Sequence, residues 1–304
     1  MHKENLKNIS NIKKENFSDS TFLSRLLDLH QVPEEINYIG ALPETTHDNN
    51  GISLPRILTV VGSRAHTNYG KDVVDHLISS LRGQPVIILS GLALGIDGLA
   101  HRAALENEII TVAIPGSGLS QKILYPRTHL NLAKEILEKG GAIISELDNE
   151  ESAAQWTFPA RNRLMAALSD AILIIEAENP SGTLITARQA LELGKDIGVV
   201  TGSIFSKTSE GTHSLLKDGA IPITDAESLL ELLHLKPLAG DSEEVQINLN
   251  ENEKLLYSLI KEPIQKDSLL IESGLTPTDF MITITQLEMK KLIRDTFGEV
   301  RRVQ

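Results

Sequence analysis

The chain contains no cysteine, which excludes disulfides, thiolate metal sites and a cysteine nucleophile. That absence suits a reducing compartment, and a cytoplasmic location is expected. Aromatic residues are scarce at 4%, with a single tryptophan, Trp156, so a site that stacks bases has few side chains to draw on. No apolar run reaches the roughly 20 residues that cross a bilayer. The opening Met-His-Lys-Glu-Asn-Leu-Lys-Asn lacks the apolar stretch of a secretory signal. No membrane partner is expected. Basic charge is also short: 29 Lys and Arg against 41 Asp and Glu leave a net −12. A general nucleic-acid binder is basic. A nucleic-acid site here must therefore be a local positive pocket on an acidic body, relying on stacking and shape.

What is present is enough for one large α/β domain and a small one: 304 residues, 41% of them hydrophobic. Residues 1 to about 20 are polar and aperiodic and read as a mobile tail. Phe22 to His30 reads as a short amphipathic helix and Ile36–Gly40 as a brief strand. From Arg56 onward, short apolar runs alternate with helical stretches. The runs are Ile57–Val61, Val86–Leu89, Ile109–Ile114, Ala142–Ile144, Ala171–Ile175 and Ile197–Val200. The helical stretches include Gly70–Arg82, Gly95–Asn107, His129–Lys139 and Thr183–Leu193. Strands apolar throughout mean a parallel sheet covered on both faces, and right-handed crossovers make it a Rossmann-like doubly wound α/β fold. Near Leu235 the chain becomes a polar linker. Three helices (Glu251–Lys261, Lys266–Ser273, Thr276–Leu292) and a hairpin over Arg294–Val303 then suggest a winged helix. Four segments are expected: 1–50, a tail with a reduced helical and strand extension; 51–238, the Rossmann-like domain; 239–249, the linker; and 250–304, the winged-helix-like domain.

Small residues close most of the runs, where ligands bind in an open α/β sheet. Gly62-Ser63-Arg64, Ser90-Gly91, Pro115-Gly116 and Ser145-Glu146 should share one rim. Gly62-Ser63-Arg64 combines a tight turn, a hydroxyl and a guanidinium, which suits a phosphate; alone it also fits a plain βα turn. In Ser90-Gly91-Leu92-Ala93-Leu94-Gly95-Ile96-Asp97 the glycines are four apart, so this is not the Gly-x-Gly-x-x-Gly of a dinucleotide site. Gly91, Ala93 and Gly95 instead let a backbone approach a ligand closely. Asp97 and His101 lie four apart on one helix face, with placement of Asp97 at the positive helix N-terminus the simpler reading. Phe158-Pro159-Ala160-Arg161-Asn162-Arg163 reads as a loop before a helix, an aromatic beside two guanidinium groups as base stacking and phosphate contact require. Trp156 is expected to pack at a core edge. Pro180-Ser181-Gly182-Thr183 opens another helix, with Ser181 or Thr183 as cap and N–H groups left for an anion.

In order and spacing these motifs resemble the DNA-processing protein A (DprA/Smf) family. The matching residues are Gly62-Ser63-Arg64, Ser90 to Asp97, Tyr125-Pro126, Ser145-Glu146, Phe158 to Arg163 and Ser181 to Ala187, within roughly residues 36 to 220. The resemblance implies a protein that binds single-stranded DNA in a positive pocket, forms a homodimer and delivers the strand to the RecA recombinase in natural transformation. It further implies that Arg64 clamps phosphate, that Phe158 stacks or wedges near a base, and that Arg161 and Arg163 supply positive potential or hold the loop. The chain departs from the family at Ser117-Gly118, Thr201-Gly202 and Gly211-Thr212-His213. The segment before Phe158, Glu150 to Gln155, is acidic and lacks lysine, and the usual N-terminal helical domain is reduced to a stub. Leu229, Leu230, Leu232 and Leu233 are candidate dimer contacts.

The rival reading is a nucleotide phosphoribohydrolase of the cytokinin-activating LOG type, or a nucleotide-sensing module on the same fold. Arg161 and Met165 fit the Arg-x-x-x-Met of the hydrolases. Thr186 stands where their catalytic glutamate belongs, leaving Glu146 and Glu176 as substitutes. No Walker A lysine, nucleophile elbow or metal-ligand spacing among His101, His129 and His213 is present. The expectation is no catalysis, no cofactor and no metal.

Overall fold

In the computed structural model the described residues are 12–15, 17, 20–47, 53–238, 249–290, 292–296 and 298–302. Contacts divide the chain after Leu238. In the first unit the strands are β1 (Lys13–Glu15), β2 (Ile36–Gly40), β3 (Thr46–His47), β4 (Ser53–Leu54), β5 (Arg56–Val61), β6 (Val86–Ser90), β7 (Thr111–Ala113), β8 (Ala142–Ser145), β9 (Ala171–Ile174), β10 (Asp196–Val200) and β11 (Ile221–Ile223). The helices are α1 (Asn68–Ser79), α2 (Ile96–Glu106), α3 (Leu130–Glu138), α4 (Thr157–Leu168), α5 (Gly182–Glu192), α6 (Glu210–Lys217) and α7 (Ala226–Leu232).

The main sheet has nine strands in the order β1-β2-β8-β7-β6-β5-β9-β10-β11. From β8 to β11 all neighbours are parallel, while β1 and β2 add an antiparallel margin. The chain leaves β5 towards β8, then returns to place β9 on the other side of β5. That reversal is the switch point of a doubly wound sheet.

Alternation along the strands supplies two cores. Ile57 and Val61, Ile87 and Leu89, and Ile172 and Ile174 meet α4 and α5 on one face. Leu58 and Val60, Val86 and Ile88, and Leu173 meet α1, α2 and α7 on the other. Each such aliphatic side chain, fully buried, stabilises by about 1.5–3 kcal/mol. Leu229, Leu230, Leu232 and Leu233 belong to this second core and are 0–7% exposed. They are thus not available as dimer contacts, because a leucine already packed against α1 has no apolar surface to offer a partner.

The N-terminal extension differs from the sequence expectation in two ways. Lys13–Glu15 is an edge strand on β2, and Ile36–Gly40 joins the main sheet beside β8, so the sheet begins well before residue 51. Phe22 to His30 holds a 3-10 helix over Leu23–Asp28, with Leu23 and Leu26 buried. Residues 1–11 and 239–248 lie outside the described set, including the start of the tail and nearly all of the expected linker. Among the described residues no helix is long and apolar enough to cross a membrane.

The second unit contains α8 (Glu251–Leu259), β12 (Ile264–Gln265), α9 (Lys266–Ser273), α10 (Pro277–Met289), β13 (Ile293–Thr296) and β14 (Glu299–Arg302). Its three strands pair antiparallel in the order β12-β14-β13, around a core of Leu256, Leu269, Phe280, Ile284 and Val300. This order of elements is compatible with a winged helix. Two local devices start its helices. Asn250 and Glu253 form a capping box on α8, and Thr276 caps α10 with Pro277 in its first turn.

Candidate nucleic-acid interface

A cavity of about 340 Å3 opens at the carboxyl ends of β5 and β9, at the switch point. Four separate segments line it. Gly62, Ser63, Arg64 and Ala65 follow β5; Ala93 and Asp97 follow β6; Phe158, Arg161, Asn162 and Met165 come from α4; Ala177, Glu178, Ser181, Gly182, Thr183 and Thr186 follow β9.

Arg64 and Phe158 form its lip. The Arg64 guanidinium lies over the Phe158 ring at 4.7 Å, and Tyr125 meets the same ring edge-on with centroids 6.2 Å apart. Tyr125 is 43% exposed and helps line a small cleft of about 20 Å3 on the far side of Phe158, with Gly91, Leu94, Gly116 and Pro126. The result is a cation–ring–ring stack on a rim, with a guanidinium beside an aromatic face. Among the described residues no carboxylate pairs with Arg64.

The far wall is the start of α5. Ser181 sits at the N-cap position with extended backbone, yet its hydroxyl makes no capping bond, and its Oγ is buried without a partner. A helix beginning with uncapped N–H groups and a positive dipole end is an anion site in waiting. Asn162 donates to the Gly182 carbonyl at 3.4 Å, tying α4 to this turn.

The floor is polar and buried. Arg161 donates to the Ile114 carbonyl at 2.7 Å and faces Asp97 at 3.9 Å, both side chains only 7% exposed. Burial raises the Asp97 pKa above the usual carboxylate range, against the pull of Arg161 and the N–H groups of Ala93 and Gly91. Burial likewise lowers that of Arg161. Gly91 makes this possible: a Cβ there would lie 1.5 Å from the Arg161 Nη1. Asp97 does not pair with His101, whose Nδ1 meets the Thr111 hydroxyl at 2.7 Å and whose burial pushes it down to about 3.

Not every expected site residue reaches the cavity. Ser90 is fully buried and its hydroxyl donates to the Val60 carbonyl at 2.6 Å. Gly95 has φ +82° and packs against the backbone of Ser63 and Arg64, where a Cβ would come within 2.2 Å of the Ser63 carbonyl oxygen; it shapes the Arg64 turn from behind. Arg163 points elsewhere, joining the Glu146 carboxylate and the Gln31 carbonyl. Gly91 borders the small cleft but not the cavity.

Two local expectations are corrected. Phe158 to Arg163 lie inside α4, which begins at Thr157, because the Thr157 hydroxyl bonds Gly116 and Ala154 and fixes the turn one residue earlier. Trp156 is 59% exposed rather than packed at a core edge, since it precedes α4 on the solvent side. Sequence reasoning left Tyr125, Ala177 and Glu178 outside the site. Tyr125-Pro126 was visible as a motif; the other two merely follow an apolar run.

The substitute glutamates of the hydrolase reading are occupied. Glu146 is bound to Arg163. Glu176 accepts from the Thr67 backbone at 3.0 Å and the Thr67 and Thr208 hydroxyls, which anchors α1. In the second unit, two basic side chains are held internally: Lys290 by Glu253 at 2.7 Å and Arg302 over the Tyr257 ring at 4.2 Å. Lys291 and Phe297 lie outside the described residues. The exposed side of α10 carries Met281, Ile282 and Met289, an apolar face rather than a base-reading one.

Comparison with known proteins identifies relatives. Protein Smf of Escherichia coli is 44% identical over 176 residues, covering 58% of this chain and 46% of that one, so the chain matches about half the length of that relative. The X-ray structure of DNA processing protein A from Streptococcus pneumoniae superimposes with a TM-score of 0.63 at 32% identity, covering 74% of this chain and 75% of that one. DNA processing protein A from Helicobacter pylori, in a structure described as giving insight into that protein's single-stranded-DNA binding mode, gives 0.63 at 27%, covering 75% and 98%. The family model for DNA recombination-mediator protein A matches residues 15–234, and with the switch-point cavity and its motifs in place, the chain belongs to that family.

Proposed function

We propose that this chain binds single-stranded DNA across the switch-point cavity and, as a homodimer, hands the strand to the RecA recombinase during recombination or transformation. The observation that carries the binding is the Arg64–Phe158 stack facing the uncapped start of α5. One phosphate fits between the guanidinium and the α5 N–H groups, and the next base meets an aromatic face. The residues given this role are Gly62, Ser63, Arg64, Ala93, Phe158, Arg161, Asn162, Ser181, Gly182 and Thr183. Ser90, Gly91, Gly95 and Arg163 hold the shape around them. The Helicobacter pylori relative's single-stranded-DNA binding supports the ligand; the RecA and dimer parts rest on family membership alone.

The acidic body and a site with one exposed arginine set the expected salt dependence. Two to three neutralised phosphates give a slope of log K against log salt of about −1.4 to −2, at roughly −0.7 per phosphate. Anisotropy titrations with labelled oligo-dT and a matched blunt duplex at several salt concentrations measure it. Equal affinity for the duplex defeats the reading.

No hydrolysis is proposed. Thr186 lines the cavity where a ribohydrolase places its glutamate, with its hydroxyl turned to the Gly182 carbonyl at 3.4 Å. The protein is expected to release no ribose 5-phosphate from AMP by product chromatography. Turnover by wild type that Glu146→Gln abolishes would replace the binding reading with an enzymatic one.

A further inference from the structure

The loop after β10 carries two large apolar side chains in water: Ile204 is 79% exposed and Phe205 is 92% exposed. The backbone beneath them is well tied. Phe205 N–H donates to the Ser203 hydroxyl at 3.2 Å and Ser206 N–H to the Ser203 carbonyl at 3.0 Å. The loop is also fastened to the walls of the cavity. The Tyr69 hydroxyl at the start of α1 donates to the Thr201 carbonyl at 2.6 Å. Ala177, a cavity residue, donates to the Thr208 carbonyl at 2.7 Å and accepts from Gly211 N–H at 2.8 Å. Ile204 and Phe205 are adjacent on an ordered loop and together form a small apolar patch in solvent, a candidate contact surface.

We propose that Phe205 is a second base-stacking residue, extending the single-strand path from the cavity along the rim to the loop after β10. The inference rests on the single-stranded-DNA reading of the cavity. β10 lies beside β9 and β9 beside β5, so the loop springs from a point about 10 Å from the Arg64 turn, two strand spacings away. A strand anchored at Arg64 passes this point within its neighbouring nucleotides. The chemistry selects the base rather than the phosphate. Glu178 and Glu210 are both exposed at this edge, and Lys207 offsets only one of them. This edge therefore adds no phosphate grip of its own, and what the loop offers a strand is a ring on which the uncharged face of a base stacks whatever its sequence. A second copy of the chain is the poorer occupant. Ile204 and Phe205 together offer a few hundred Å2 at most, short of the roughly 800 Å2 per partner of a stable interface, and Ser203, Ser206 and Lys207 surround them with polar groups.

The test compares full-length wild type, Phe205→Ala and Phe205→Trp on oligo-dT of about four and about fifteen nucleotides. Phe205→Ala is expected to bind the longer strand about five- to twentyfold more weakly, to bind the shorter one as wild type does, and to keep the wild-type salt slope, because stacking displaces no counterion. Phe205→Trp is expected to bind the longer strand as tightly as wild type. Equal binding of both lengths by wild type and Phe205→Ala overturns the inference and leaves the cavity reading standing. Wild type that binds neither length overturns the cavity reading itself. A change of mass by light scattering in Phe205→Ala assigns the tip to self-association and overturns the stacking role.

Discussion

Arg64→Ala is expected to weaken single-strand binding about ten- to hundredfold while the protein stays folded. A charge-assisted hydrogen bond to phosphate is worth about 1.5–3 kcal/mol, and each 1.4 kcal/mol is tenfold in affinity. The side chain is exposed and its guanidinium rests on Phe158, so its loss leaves no buried void. Removing one phosphate contact should also make the salt slope shallower by about 0.7. Arg64→Lys should fall between, keeping the charge but losing the planar fork and the stack on the ring. Oligo-dT titrations with circular dichroism on each variant measure both effects. A folded Arg64→Ala that binds as wild type removes Arg64 from the interface.

Arg161→Met is expected to act on stability first and on binding second. It leaves Asp97 buried beneath the cavity without its cation, and stripping one partner from a buried pair costs about 3–5 kcal/mol. The pH dependence separates this cause from simple repacking. Burial already raises the Asp97 pKa, so the protonated carboxyl is the form the fold accepts more readily. A carboxyl with a raised folded pKa supports the fold below its unfolded pKa and loses that support as pH rises through the folded value. Without Arg161 the folded pKa rises further. The gap between variant and wild type should therefore be widest at neutral pH and narrow as acid protonates Asp97. Adding Asp97→Asn should recover much of the loss, because the two sites are coupled and their effects do not add. Urea melts of the single and double variants across pH decide it; a loss independent of pH and unrelieved by Asp97→Asn contradicts the pairing.

The sheet's central strands were legible because buried parallel strands announce themselves as short runs rich in β-branched and other apolar residues, as in Ile57–Val61 and Ala171–Ile175. Its two outermost strands, β1 and β11, were not. Lys13–Glu15 is three charged residues with no apolar period, and it is a strand only because β2 offers it an edge. Ile221–Ile223 contains Pro222, tolerated because the strand is the last in the sheet. Arg64, Phe158 and the Ser181 turn could be named from motif order, and they do line one cavity. The roles of the arginines could not. Arg161 and Arg163 stand two residues apart in α4, yet one forms the cavity floor beside Asp97 and the other leaves to meet Glu146. Helical spacing turns such neighbours to different sides, and nothing local says which side holds the partner.

The order in which the chain is made bears on when this surface exists. Its walls come from residues 62–65, 93–97, 158–165 and 177–186, and Leu58 in β5 pairs with Ala171 in β9 across 171 − 58 = 113 positions. Pairings so distant are late events, since the entropy of closing the loop must be met before the contact rewards it. A nascent chain that has reached β8 already holds Arg64 and the turn after β6, but it has neither α5 nor the strand that frames the gap. A half-made protein therefore presents the arginine without the cleft, and the cavity is complete only when β9 lies beside β5 and the start of α5 has followed it.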